Sequence, residues 1–154
     1  MIQDDIEIMA PAGSHEAVSA ALQAGADAIY FGVGSLNMRS RSTVNFTLKE
    51  MAQIIERCKR HNTKCYLTVN TVVYPEELDE VELLLQCANA CGITAVIASD
   101  WAVITRAAAI GLPVHVSTQC NITNLDAVRF YAKYADVMVT ARELNLKQVA
   151  EIAE

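Results

Sequence analysis

Aromatic residues are scarce in this sequence, and basic residues are outnumbered by acidic ones. Phe, Trp and Tyr make up only 6% of the chain. Sandwich folds lean on aromatic and β-branched side chains. A chain built mostly from small aliphatics suits helices packed closely on a parallel sheet instead. Lys and Arg number 12 against 18 Asp and Glu, for a net charge of −6. Such a chain repels a phosphate backbone unless its cations are gathered in one place, so nucleic acid is not an expected partner of this chain alone. No apolar run approaches the ~20 residues of a spanning helix, which argues against a membrane partner. The start, Met1 to Glu7, carries Asp4, Asp5 and Glu7. It lacks the basic-then-apolar order of a secretory signal, and the cytoplasm is the expected location. The five cysteines form no Cys-x-x-Cys. An odd, scattered set fits reduced thiols better than a disulfide framework.

What is present is a large apolar fraction, 53% of 154 residues, enough for the core of one domain. One pattern repeats: a short apolar, β-rich run, then polar residues, then a helical stretch. Strands are expected near residues 7–10, 28–31, 65–69, 95–98, 114–116 and 136–140, with helices near 16–24, 48–60, 76–90, 101–110 and 125–133 and a last one from Leu146. Gly25, Gly92 and Gly111 each follow a helical run, where a left-handed cap favours glycine. Ser14, Thr47, Asp100 and Asn124 sit where an N-cap oxygen is wanted, and Pro75 suits a first helical turn.

Such a succession of βα units leaves an open doubly wound sheet or a closed (β/α) barrel. Polar residues after every strand favour the α/β barrel. So does the alternation Val114-His115-Val116-Ser117-Thr118-Gln119, which would place His115, Ser117 and Gln119 on one face. A full TIM-type barrel needs about 250 residues, so about six of eight units are expected here, as the N-terminal portion of a longer protein. The open strand edges would then be covered by the rest of the barrel or by a second copy.

Sites in parallel α/β folds form beyond the C-terminal ends of the strands. Residues expected there are Asn37, Arg39 and Asn45 in a long loop, Asn70, Asp100, then His115, Ser117, Gln119 and Asn121, and finally Arg142 and Glu143. Loops as long as the one after the second strand are often functional. Arg39 with Arg142 would hold a carboxylate or phosphate; the competing reading is two solvated arginines. Asp100 and Asn124 have a purely structural reading as caps, and Arg142 with Glu143 as a surface ion pair worth about 0–1 kcal/mol. Ser117, His115 and Asp100 can be drawn as a hydrolytic triad, but there is no Gly-x-Ser-x-Gly elbow. His115, Asp100 and Glu143 can be drawn as metal ligands, but without a known ligand spacing. Cys58, Cys65, Cys87 and Cys91 read as core residues, while Cys120 falls beside the expected site.

Taken in order, several segments are specific. They are Met9-Ala10-Pro11-Ala12-Gly13-Ser14, residues 24–32, Asn37-Met38-Arg39, Asn45-Phe46, Thr68-Val69-Asn70-Thr71, Ser99-Asp100, His115-Val116-Ser117-Thr118-Gln119 with Asn121 and Asn124, and Ala141-Arg142-Glu143-Leu144. Together they resemble peptidase family U-thirty-two (U32), the collagenase-like peptidases, from Glu7 to Glu154. The resemblance implies a barrel and a class named for proteolysis of peptides. Other members implied by it are oxygen-independent hydroxylases of RNA bases or quinone precursors, which use a four-iron, four-sulfur cluster and a prephenate oxygen donor. Prephenate is a dicarboxylate and would suit Arg39 and Arg142. The family's cluster cysteines lie beyond the Arg-Glu-Leu stretch, so no cofactor is expected in this chain. The leading reading is the N-terminal barrel portion of a collagenase-like peptidase; the alternatives are a portion of a hydroxylase of RNA or a quinone precursor, and a non-catalytic barrel fragment that binds a small anion.

Overall fold

The computed structural model describes residues 6–38 and 45–153. Its strands are β1 (Met9–Pro11), β2 (Ala28–Gly32), β3 (Lys64–Val69), β4 (Ala95–Ala98), β5 (Val114–Val116) and β6 (Val137–Met138). Between and after them run α1 (His15–Gln23), α2 (Leu48–Arg60), α3 (Leu78–Cys91), α4 (Trp101–Ala109), α5 (Leu125–Tyr131) and α6 (Leu146–Ala153). All five strand pairings are parallel and the order in space is the order in sequence, β1 through β6. This is an incomplete (β/α) barrel with helices on its outer face. None of its helices, among the described residues, is long and apolar enough to cross a membrane.

The two faces of the sheet differ. Outward residues such as Ile29, Phe31, Leu67, Val96 and Val114 join the helices in one large core. Truncating a buried Leu or Ile in such a layer costs about 2–5 kcal/mol. The inward, concave face holds Ala28, Tyr66 and Ala95, with Tyr30 and Ile97 packed against them. Exposure rises toward the two edges: Met9 of β1 and Val137 and Val139 of the β6 segment are each more than 40% exposed.

Local chemistry sets the boundaries. Ser14, Thr47, Asp100 and Asn124 are all N-caps, each accepting a backbone N–H of its own helix. Gly25, Gly92 and Gly111 all take positive φ. The third helix departs from expectation at its start. Pro75–Glu77 is a 3-10 turn, and α3 proper begins at Leu78. The sixth strand keeps only Val137–Met138 of the expected 136–140, because it has a partner on one side alone. The first strand is shifted to Met9–Pro11, leaving Glu7 just before it.

Candidate functional site

The C-terminal ends of β1, β2 and β3 enclose a cavity of about 190 Å³. Tyr30, Gly32, Asn37, Met38, Thr68 and Asn70 are among its walls. Asn37 is almost fully buried, and its Nδ2 donates to the Gly34 carbonyl at 3.2 Å. Gly32 makes room for it: a Cβ there would stand 2.3 Å from the Asn37 Cγ. Asn70 Oδ1 accepts the Met38 N–H at 3.2 Å, and Thr68 Oγ1 donates to the Phe31 carbonyl at 3.0 Å. Asn45 is placed elsewhere. It borders a largely apolar groove of about 280 Å³ between α2 and α3, with Leu83, Leu84 and Glu80. Arg39 lies outside the described residues.

A second recess, of about 270 Å³, opens beyond β5 and β6 and is lined by Thr118, Gln119, Asn121, Arg142 and Glu143. Asn121 supports its shape from a left-handed conformation, φ 49°. Arg142 and Glu143 are exposed and do not pair with each other; among the described residues neither takes part in an ion pair. A guanidinium beside a hydroxyl and two amides is a set of donors suited to a carboxylate or phosphate, which the Glu143 carboxylate in the same recess opposes.

His115, Ser117 and Asp100 are not joined by hydrogen bonds. The β5 strand ends at Val116, so Gln119 is not part of a strand row with His115; it sits in a 3-10 turn, Thr118–Cys120. Ser117 is buried and caps that turn, accepting the Gln119 N–H, while its hydroxyl donates to Gln119 Oε1. Both Asp100 oxygens accept backbone N–H groups, Oδ1 from Ala102 at 2.8 Å and Oδ2 from Val73 at 3.0 Å. His115 instead points inward, its ring 4.8 Å from that of Tyr66.

Tyr66 leads to residues that the sequence reading passed over. Its hydroxyl donates to Glu7 Oε1 at 2.6 Å, and Lys64 pairs with the other Glu7 oxygen. Burial opposes the Glu7 charge, yet hydrogen bonds from Lys64 and Tyr66 outweigh it and hold the carboxyl below its usual range. Burial pushes the His115 imidazole down, against the pull of Glu7 and Asp136. The signal was available: Lys64, Tyr66 and Thr68 alternate with Cys65, Leu67 and Val69, a polar row opposite an apolar one.

Comparison with known proteins decides the family. The model of peptidase family U32 matches residues 13–154. The chain belongs to this family. A protein of Porphyromonas gingivalis named collagenase is 50% identical over 98% of this chain and 36% of its own length. A tRNA hydroxylation protein of Bacillus subtilis is 33% identical over 96% of this chain and, again, 36% of its own. The chain thus spans about a third of these curated U32 relatives. A solved U32 peptidase superposes with a TM-score of 0.76 at 16% identity, covering 96% of this chain and 64% of that one. At that identity it supports the barrel fold.

A U32 iron–sulfur cluster would need several thiolates around one point. Here Cys58 and Cys65 are buried against each other, Cys87 and Cys91 lie half-buried on α3, and Cys120 donates to the Ser99 carbonyl. Among the described residues, no three His, Cys, Asp or Glu gather to hold a metal. The cysteines of this chain do not fit such a cluster.

Proposed function

We propose that this chain is the substrate-recognition part of a U32 enzyme, and that hydroxylation of an RNA base fits its mouth better than peptide hydrolysis. The observation that carries this reading is the pairing of unlike recesses at one mouth. One is enclosed and neutral, walled by Asn37, Asn70, Thr68 and Tyr30; the other is open and holds the unpaired Arg142 together with Glu143. Amide and hydroxyl groups beside an aromatic ring suit the edge and face of a planar polar base. A guanidinium suits a phosphate. With a net charge of −6, any phosphate contact is local, and most of the RNA surface would be read by the remainder of the protein.

Hydrolysis has less support. Both Asp100 oxygens are engaged by backbone, Ser117 is buried, and neither is bonded to His115. The peptidase reading keeps one specific support, the 50% identity to a protein named collagenase. In either case, the exposed Met9, Val137 and Val139 at the sheet edges fit coverage by further βα units or by a second copy. Those units would also carry the rest of the chemistry.

Deletion of the gene followed by mass spectrometry of RNA nucleosides separates the readings. Loss of a hydroxylated nucleoside, restored by the wild-type gene and not by Arg142→Ala, is the expected result. Cleavage of gelatin by the whole natural polypeptide, abolished by His115→Ala and accompanied by unchanged nucleosides, would establish the peptidase instead.

A further inference from the structure

The interior of a (β/α) barrel is filled in layers contributed by alternate strands, normally with branched apolar side chains. The layer supplied here by β1, β3 and β5 is different. Glu7, just ahead of β1, accepts the hydroxyl of Tyr66 on β3, and Tyr66 lies against His115 on β5. The intervening strand permits this contact. Ala95 of β4 stands in register with Tyr66, and its methyl group leaves the space that the two rings share. Tyr30, which packs on this cluster, also lines the enclosed cavity above it. The polar layer therefore lies directly beneath the mouth.

We propose that Glu7 and Tyr66 are positioning residues for His115, and that with Lys64 they form one charged and aromatic cluster under the mouth. Lys64 and the Tyr66 hydroxyl fix the Glu7 carboxylate, and the Tyr66 ring meets the imidazole. The Tyr66 ring sets the plane of the imidazole. The charged groups that act on His115 come from three directions: Glu7 and Asp136 favour its protonated form, and Lys64 opposes it. Burial keeps the imidazole neutral, and the cluster holds it where a substrate proton can be exchanged. That last clause rests on the reading of the mouth as an active site; the coupling itself does not.

The test is the titration of the His115 ring, followed by nuclear magnetic resonance in the whole natural polypeptide, with His115→Asn identifying its signals. In the wild type it should titrate below the ordinary histidine value. Glu7→Gln should lower it further, by about half a unit, and Lys64→Met should raise it by a similar amount, the shift expected of a nearby charge. Opposite signs from two partners of one ion pair are not expected of a merely structural role. The Lys64 side chain is 57% exposed, so its variant leaves the core intact and serves if Glu7→Gln fails to fold. A His115 titration that stays within about 0.1 unit in both folded variants, against that expected charge effect, overturns the proposal. If the shifts occur while His115→Asn retains full activity, the coupling stands and the active-site reading of His115 falls.

Discussion

Over β1 to β3, three polar side chains of the mouth bond to backbone: Asn37 donates to Gly34, Asn70 accepts from Met38 and Thr68 donates to Phe31. Over β5 and β6, Arg142 and Glu143 are exposed and unpaired. The first side holds its shape before any ligand arrives; the second keeps its charges available. Preorganised walls give selectivity by shape, whereas an open guanidinium gives attraction with little selectivity. Substitutions on the first side should therefore act on stability and on binding by shape, and those on the second on binding of charge alone.

The largest effect is expected at Gly32. A methyl group there must displace the buried Asn37 amide, and overpacking of this kind costs about 1–3 kcal/mol. Gly25→Ala is the control, because nothing lies within 4 Å of its added Cβ. Only the positive φ is strained there, at about 1 kcal/mol. Urea denaturation of both variants compares them directly. Equal midpoints would mean that the cavity wall yields, and the contrast between the two sides would weaken.

Asp100→Ala comes next. It removes the acceptor for two backbone N–H groups and should cost about 1–2 kcal/mol, while activity per folded molecule is retained. A catalytic Asp100 would reverse that outcome, with a stable fold and lost turnover.

Much of this contrast was legible in the sequence, for physical reasons that differ by element. The strands expected at 95–98 and 114–116 were found at those bounds, because short apolar runs there are closed off by Gly92, Asp100 and Pro113. Caps follow local hydrogen bonding and were readable one by one. The sixth strand was overextended, since strand length at an edge depends on a neighbour rather than on propensity. Gln119 was misplaced because the alternation was carried past the end of β5 into a turn that Ser117 caps. The Glu7, Tyr66 and His115 contact spans three strands, and sequence periodicity carries no information about which strands stand two apart.

Acid should produce a smaller, graded effect. The folded His115 resists a proton that the unfolded chain accepts below about 6.5, so stability falls as pH drops through that value toward the lowered one. Glu7 and Glu50 are also lowered, Glu50 to about 2 through the Thr47 backbone and His15. Their contribution is present above the ordinary carboxyl range and is lost as pH falls through their folded values. Thermal melts at pH 7, 5 and 3 should show midpoints falling in two stages, with the upper stage absent in His115→Asn. A midpoint that rises on acidification would contradict both signs.

Arg142→Ala should have the smallest effect on the fold and a large one on binding. The residue is exposed and unpaired, and surface changes of that kind fall within about ±0.5 kcal/mol. A charge-assisted hydrogen bond to an anion is worth about 1.5–3 kcal/mol, so affinity for a nucleoside monophosphate, measured by calorimetry, should drop at least about tenfold. Asn70→Ala supplies the contrast. It frees the Met38 N–H and loosens the enclosed wall, so it should weaken binding of the uncharged nucleoside as much as that of the monophosphate. Arg142→Ala should affect only the latter. If both variants weaken both ligands equally, the two recesses act as one site and the division between shape and charge at this mouth is wrong.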